Sequence, residues 1–555
     1  MIRLFPVLAI VLMLGPVVAG LAGTLLPAFG WFPALGGDRF GLEPFRRVFD
    51  QPGIGTSVAL SFGTGLLATG LSLALAVGFV AASFGTPLLA RIGRLISPML
   101  SIPHATLALG LAFLLAPSGW LVRMVSPWAT GWAWPPDLLI LNDPQGLSLV
   151  LGLVLKEAPF LFLMLAAALD RLDAPSLHSV ARSLGYAPMT AWIKVILPQI
   201  YPRLRLPVLA VLAFSTSVVD LSVILGPATP APLAVRVVTW ANDPDLSMRF
   251  LAAAGAVVQI CVAAAAIGLW MLAEHVVAVV TRGWLSNGGR GRREGMVRHG
   301  AICLTLGASA LSVLALLGLV FWSVADTWRF PDAIPSRFSL GVWSRAEIWE
   351  PLATTVIVAL LSAGIAAIVT VGCLEFEIRR DRRPSARMQA LLYLPLLVPQ
   401  VAFLLGVQIL LVWLRLDGSW LALIWAHLVF VLPYVFLSMA GPWRRFDRRW
   451  IRLGRSLGEG PNQVLFRVTL PMLARPVLTG VAVGISVSVA QYLPTLFAGA
   501  GRLTTLTTEA VALSSGGDRR IIGVYGWLQM VLPLIAFLAV RAVPGWIFRP
   551  GRGTG

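Results

Sequence analysis

Twelve long apolar segments separated by short polar stretches make up most of the chain. Each is about the 20 residues that a helix needs to cross a bilayer. They fall near 5–28, 54–83, 95–116, 148–169, 204–226 and 250–280, then near 300–324, 352–376, 389–414, 420–441, 476–498 and 521–543. Between the sixth and seventh lies Thr281 to His299, with Arg282, Arg290, Arg292, Arg293 and Arg298 among glycines and no apolar periodicity. This stretch is expected to be a flexible cytosolic connector. The chain then divides into a first repeat (1–280), a linker (281–299) and a second repeat (300–555). The predicted fold class is an all-α polytopic membrane protein of about twelve transmembrane helices, arranged as two parallel six-helix repeats.

One polar motif shows that the halves are repeats. Ala181-Arg182-Ser183-Leu184-Gly185-Tyr186-Ala187-Pro188, running on to Val195-Ile196-Leu197-Pro198, returns as Gly454-Arg455-Ser456-Leu457-Gly458-Glu459-Gly460-Pro461 and Val468-Thr469-Leu470-Pro471. At one constant offset the pairs Arg182/Arg455, Ser183/Ser456, Leu184/Leu457, Gly185/Gly458, Pro188/Pro461, Val195/Val468, Leu197/Leu470 and Pro198/Pro471 are identical. Glycine suits the left-handed position just past a helix, and proline suits the start of the next one. Each copy (178–200 and 451–473) therefore predicts helix, sharp turn, helix, the second helix ending at Leu-Pro because proline disfavours the α region in the residue before it. Thr56-Ser57-Val58 with Thr354-Thr355-Val356, Pro159 with Pro433, and Pro207-Val208-Leu209 with Pro476-Val477-Leu478 extend the repeat. The halves are expected to surround one central path about a pseudo-two-fold axis along the membrane normal.

Composition agrees. The 555 residues are 57% hydrophobic and 12% charged, with mean hydropathy +0.84, against about 25% charged in soluble domains. A net charge of +18 does not mark a nucleic-acid partner, because the cations recur in short clusters between apolar runs. On the twelve-span reading, Lys and Arg on the side that holds both termini, the linker and both elbows outnumber those opposite by more than two to one, which places that side in the cytosol. The apolar run from Leu4 to about Leu26 after Met1-Ile2-Arg3 is too long for a signal peptide and reads as an uncleaved first span. Cys261, Cys303 and Cys373 lack metal-ligand spacing, and no disulfide framework or zinc site follows.

No phosphate-binding loop is present: the chain has two lysines, Lys156 and Lys194, and neither completes G-x-x-x-x-G-K-[ST]. Energy for uphill transport must come from a partner or a second ion. The spacing from Gly185 to Pro198 and from Gly458 to Pro471 resembles the EAA loop of permease subunits in binding-protein-dependent ABC importers. That resemblance implies a type I, MetI-like fold and a coupling role for Ala181, Gly185, Pro188, Leu197, Pro198, Gly454, Gly458, Pro461, Leu470 and Pro471. The match departs at Ser179-Val180-Ala181 and Arg452-Leu453-Gly454, where both copies lack the acidic residue and keep the small one.

The two-in-one arrangement is similar to iron(III) and thiamine importer permeases. It resembles the Ynj-type permeases through Ser217-Val218-Val219-Asp220 with Ile224-Leu225-Gly226-Pro227, Leu416-Asp417-Gly418-Ser419-Trp420, and Gly499-Ala500-Gly501-Arg502 with Leu506 to Gly517. The resemblance implies two ATP-binding cassette subunits, a periplasmic solute-binding protein, no cofactor on this chain (ATP-Mg being bound by the partner ATPase), residence in the bacterial inner membrane with both termini cytoplasmic, and a thiamine-like or other small polar or cationic solute.

Ionisable residues inside spans are costly, roughly 2.5–3.5 kcal/mol each on insertion scales, and are candidates for the solute path. They are Lys156 and Glu157 in the fourth span and Asp220 in the fifth, with Gln491 equivalent to Asp220 and Ser217 and Ser488 nearby. The open alternative is a structural interhelical pair, for instance between Lys156 or Glu157 and Asp220. His104 and His427 read as interhelical hydrogen-bonding groups, and Glu375 and Glu377 as i,i+4 partners of Arg379 and Arg380. Polar loops starting at Gly226-Pro227 and at Gly499, with Arg502 and Glu509, suit binding-protein docking or an outer gate. A rival class is an ion-coupled secondary transporter using Asp220, Glu157 and Lys156.

Overall fold

In a computed structural model, which describes residues 2–291, 293–381 and 394–547, each of the twelve apolar segments carries helix. Eight spans are continuous: Leu4–Ala28, Ile54–Ser83, Leu147–Leu169, Met248–Ser286, Gly295–Val324, Trp349–Arg380, Trp420–Arg445 and Arg519–Ile547. Four are interrupted, at matching places in the two repeats. The third breaks between Pro87–Met99 and His104–Leu115, and the ninth between Leu394–Leu397 and Gln400–Trp413. Pro103 and Pro399 stand at the N-caps of the inner pieces, where proline's missing N–H costs nothing. The fifth breaks between Leu197–Ser217 and Asp220–Leu225, and the eleventh between Ala474–Val489 and Leu493–Gly499.

Among the described residues, ten helices are long and apolar enough to cross a membrane, or eleven if Pro461–Met472 and Ala474–Val489, bent by 76°, form one span. The segment that falls short of the expected twelve is the ninth: Gln400–Trp413 has 14 residues, and 389–393 lie outside the described residues.

The first span of each repeat packs into the other repeat. Leu4–Ala28 lies against Gln400–Trp413 of the ninth span, while Gly295–Val324 lies against His104–Leu115 of the third and against Arg519–Ile547. Lipid tails are as apolar as leucine, so helices associate in a bilayer through close packing of small residues. Gly23 and Gly406 meet backbone to backbone, a Cβ on Gly23 coming within 2.9 Å of the Gly406 oxygen. The Gly406 N–H also donates to Thr24 Oγ1 at 3.1 Å. On the other side a Cβ on Gly110 would lie 2.6 Å from the Ala315 oxygen, and one on Gly523 2.7 Å from the Ser323 nitrogen. Buried clusters accordingly mix the halves: Val17 and Val237 with Phe403 and Phe430 in one, Leu109 and Leu153 with Ala315 and Ile522 in another. A two-stranded antiparallel ribbon follows each first span, Trp31–Phe32 with Gly37–Asp38 and Ala325–Thr327 with Arg337–Phe338.

The connector is shorter than expected and not loose. Helix runs into it from both ends, to Ser286 and from Gly295, and what remains is bonded to the first elbow. Arg292 lies outside the described residues.

Candidate functional site

The two elbows share one construction. Helices Ala174–Ser183 and Arg449–Ser456 end at glycines with φ +85° (Gly185) and +87° (Gly458). Tyr186 N–H donates to Ala181 O and Glu459 N–H to Gly454 O, both at 3.2 Å, while Gly185 and Gly458 N–H reach Arg182 O and Arg455 O at 2.9 and 3.1 Å. This is the paired helix-ending bond pattern that requires glycine at the turn. Ala181 and Gly454 are buried; a Cβ on Gly454 would already touch Val464 at 3.0 Å. Pro188 and Pro461 open the next helical turn.

Leu-Pro does not stop that second helix. Leu197, at φ −53° and ψ −47°, is helical despite the proline after it, and Pro198 sits in the first turn of Leu197–Ser217. The chain accommodates it with a π-helical turn over Trp192–Ile196, matched in the second repeat by Leu465–Thr469; the wider turn frees the position at which proline lacks a donor. In the second copy Leu470–Met472 is followed by the 76° bend. Arg379, ion-paired with Glu375 at 2.7 Å as an i,i+4 pair, also donates to Pro461 O at 3.1 Å and so ties the eighth span to the second elbow. Glu377 pairs instead with Arg444 of the tenth span, through two bonds at 2.9 and 3.0 Å.

The intramembrane polar residues converge on the broken third, fifth and eleventh spans. Lys156, Glu157, Asp220 and Gln491 are each less than a tenth exposed. Lys156 does not pair with Asp220: its ammonium donates to the carbonyls of Met99 (3.3 Å), Leu100 (3.1 Å) and Ile102, satisfying the backbone that the break in the third span leaves open. Glu157, pointing elsewhere, meets His104 Nε2 at 3.1 Å, and the His104 ring packs on Phe214 at 4.8 Å between centroids. Asp220 lies within electrostatic reach of His104 and Glu157 but has no side-chain partner among the described residues; it opens the short helix after the break. The second repeat contributes phenols, Tyr434 near Glu157 and Tyr492 near Asp220. Gln491 sits in the equivalent break of the eleventh span. Ser217 bonds back to Ala213 O at 2.8 Å, whereas Ser488 joins Ser362 at 3.3 Å and His427 Nδ1 at 2.8 Å. His427 also reaches Thr495 at 3.0 Å. Among the described residues no group of three His, Cys, Asp or Glu could hold a metal ion.

The candidate gate residues lie at a second matched pair of contacts. Asn142 Nδ2 donates to Gly226 O at 2.6 Å and Asn142 N–H to Leu225 O at 3.2 Å, closing the end of the fifth span. Pro227 lies against Gly146, whose added Cβ would be 3.9 Å from its Cδ. Gly418 N–H likewise donates to Ala498 O at 3.0 Å at the end of the eleventh span, with Arg502 folded over Gly418 and paired to Asp417 at 3.4 Å. Glu509 stands on Leu506–Leu513, whose first amide is capped by Thr355 Oγ1 at 2.9 Å, just as Ser61 Oγ caps Leu233 at 2.9 Å in the first repeat. Asp143 beside the first latch accepts from Leu147 N, Ser148 N and Ser148 Oγ. Burial pushes its carboxyl up, but these bonds outweigh it and hold the pKa below the usual 3.8.

Residues 364–549 match the family model of the binding-protein-dependent transport system inner membrane component. Over 541 residues, 97% of each chain, the sequence is 31% identical to the inner membrane ABC transporter permease protein YnjC of Escherichia coli K12. The chain is an ABC transporter permease. The permease is also similar to the spermidine/putrescine transport system permease protein PotC of Haemophilus influenzae, 22% identical over 32% of this chain and 70% of PotC. PhnV of Salmonella typhimurium, whose name carries 2-aminoethylphosphonate transport, is 24% identical over 40% of the permease and 85% of its own length. Membership of an ABC family displaces the ion-driven alternative. Residues that the sequence did not single out are Tyr434, Tyr492 and the connector's Glu294. The tyrosines had a signal available, since the chain holds only six and two of them lie in spans facing the carboxylates.

Proposed function

We propose that this permease passes a small cationic solute along a path between its repeats, and that its two elbows face the cytosol and each dock one ATP-binding cassette subunit. The observation that carries the solute path is the matched interruption of the fifth and eleventh spans, with Asp220 and Gln491 buried at the breaks and, among the described residues, without a side-chain hydrogen-bond partner. Broken helices in corresponding positions of two repeats are where transporters present polar groups to solute. Two carboxylates from one repeat facing two phenols from the other favour a cation, through charge and through the ring faces. Spermidine and putrescine, carried in the name of PotC, are cations of this class; a thiamine-like cation is another.

The elbows support the coupling reading through their exposed apolar pairs. Val180 and Leu184 are each 59% exposed, and their equivalents Leu453 and Leu457 are 51% and 76% exposed. Four apolar side chains repeated on polar helices outside the spans suit a protein partner. The partner binds and hydrolyses ATP-Mg, and a periplasmic binding protein delivers solute at the opposite face, where the Gly226 and Arg502 latches close the ends of the broken spans. Both termini then lie in the cytosol.

The test is co-purification from detergent with the co-expressed ATPase. Proline fixes φ near −65° and cannot adopt the +85° and +87° of the two turns. Gly185→Pro/Gly458→Pro should therefore release the ATPase that wild type retains. A double variant that inserts stably and keeps the ATPase would refute the coupling reading.

A further inference from the structure

The two elbows are not equivalent, because the connector between the repeats is built onto the first one alone. Ala187 N–H donates to Arg290 O at 2.8 Å. The Glu294 carboxylate accepts from Met189 N (2.9 Å), Thr190 N (2.9 Å) and Thr190 Oγ1 (3.0 Å), capping the helical turn that Pro188 opens. Lys194 Nζ donates to Asn287 O and Oδ1 at 3.1 and 2.8 Å and lies 4.6 Å from the Trp284 ring centroid. Gly291, at φ +67°, presses on Thr190 so closely that a Cβ has no room. Arg298 Nε anchors the far end on Ala82 O at 2.8 Å.

This clasp places the Arg290 side chain over the Gly185 turn, its guanidinium 3.4 Å from where a Cβ would stand. Among the described residues the second elbow has none of these connector contacts. No described atom lies within 4 Å of a Cβ on Gly458, Gln463 caps Gly460 N–H at 2.7 Å from within the elbow itself, and Glu459 pairs with Arg467 at 2.7 Å. Arg182 and Arg290 are exposed around the first turn, Arg293 is exposed further along the connector, and Arg290 forms no ion pair among the described residues. The apolar pair Val180 and Leu184 borders the same turn.

We infer that the connector completes the first docking surface: one ATP-binding cassette subunit engages Arg290 together with Val180 and Leu184 through an acidic or carbonyl-rich patch, whereas the other meets the second elbow without the connector. The inference rests on the coupling reading of the elbows. The two ATP-binding cassette subunits are then held by two different surfaces, and only one contact depends on the chain that joins the repeats.

Site-directed photo-cross-linking separates the two docking events. With the exposed Cys261 and Cys303 replaced by serine, Leu184→Cys or Leu457→Cys is labelled with benzophenone maleimide in the full-length chain co-purified with its ATPase. Placing like charges across an interface weakens it steeply, so Arg290→Glu should lower the adduct from position 184 by roughly tenfold and leave that from 457 within about twofold. Glu294→Gln, which loosens the cap without altering Arg290, should lower the 184 adduct alone. Equal yields at 184 with and without Arg290→Glu, or an equal fall at both positions, would overturn the composite surface while leaving elbow docking intact. No adduct at either position in wild type would overturn the coupling reading itself and this inference with it.

Discussion

Replacing Gly406 by alanine tests whether the repeats are locked together by their exchanged first spans. A Cβ at Gly406 would fall inside the van der Waals shell of the Gly20 carbonyl oxygen and 2.7 Å from the Thr24 nitrogen, both backbone atoms of the first span that no side-chain rotation can move. Overpacking of this kind costs about 1–3 kcal/mol. Separating the helices also weakens the Gly406 N–H to Thr24 Oγ1 bond, on the order of 0.6 kcal/mol for an interhelical bond in a membrane. Alanine returns about 1 kcal/mol of helix propensity, so the net loss is about 0.6–2.6 kcal/mol. Gly63→Ala is the control, since Gly63 sits in the second span with no described atom within 4 Å of an added Cβ, and the substitution should be neutral or slightly stabilising. The assay is thermal unfolding of the purified protein in detergent, followed by size-exclusion chromatography with fluorescence detection. Equal midpoints for Gly406→Ala and Gly63→Ala would refute the close crossing.

Other expectations follow from single contacts. Gly458→Ala should lower stability by about 1–2 kcal/mol, the cost of a left-handed backbone for an L-residue, with deuterium exchange rising locally at 454–460. Asp143→Asn should cost about 1 kcal/mol by removing the charge that strengthens the bonds from Leu147 N, Ser148 N and Ser148 Oγ at the start of the fourth span. Because the folded pKa of Asp143 lies below the usual 3.8, its contribution is complete above that value and is lost as pH falls through the folded pKa. The gap between wild type and Asp143→Asn should therefore narrow in unfolding curves taken below about pH 4. Asp220→Asn and Glu157→Gln, in proteoliposomes holding the complete transporter, should each abolish most uptake of a cationic solute while Ser217→Ala leaves it nearly unchanged; equal uptake by all three would remove the carboxylates from the path.

Much of this molecule is written in local pattern. The elbow turns were legible because a left-handed backbone leaves few residues to choose from, and Gly185 and Gly458 repeat at a fixed offset. The places of the spans were legible from hydropathy, since a bilayer imposes one length, although ten or eleven helices among the described residues meet that length where twelve are expected. What hydropathy does not encode is where a span breaks: Val218-Val219 at the fifth-span break is as apolar as its surroundings, and the ninth span shows its break only through Pro399. The Leu-Pro stop failed because a π turn relieves the proline at no cost in composition. Lys156 stands out as a charge within an apolar run, yet its partners are backbone carbonyls, which every residue carries and no sequence marks. The connector's glycines and arginines are those of a loose chain, while its order depends on Glu294 meeting the amides of Met189 and Thr190, far earlier in the chain.

The exchange of first spans also sets an order of events during synthesis. The glycine face of Leu4–Ala28 finds its seat only when Phe403 and Gly406 have been made. At roughly 5–20 residues per second that delay is on the order of tens of seconds, during which the first span waits in the lipid with Gly20, Gly23 and Thr24 uncovered. The first repeat thus cannot finish folding as a unit before the second arrives, and nascent chains halted before the ninth span should present this orphaned helix to membrane quality-control proteases.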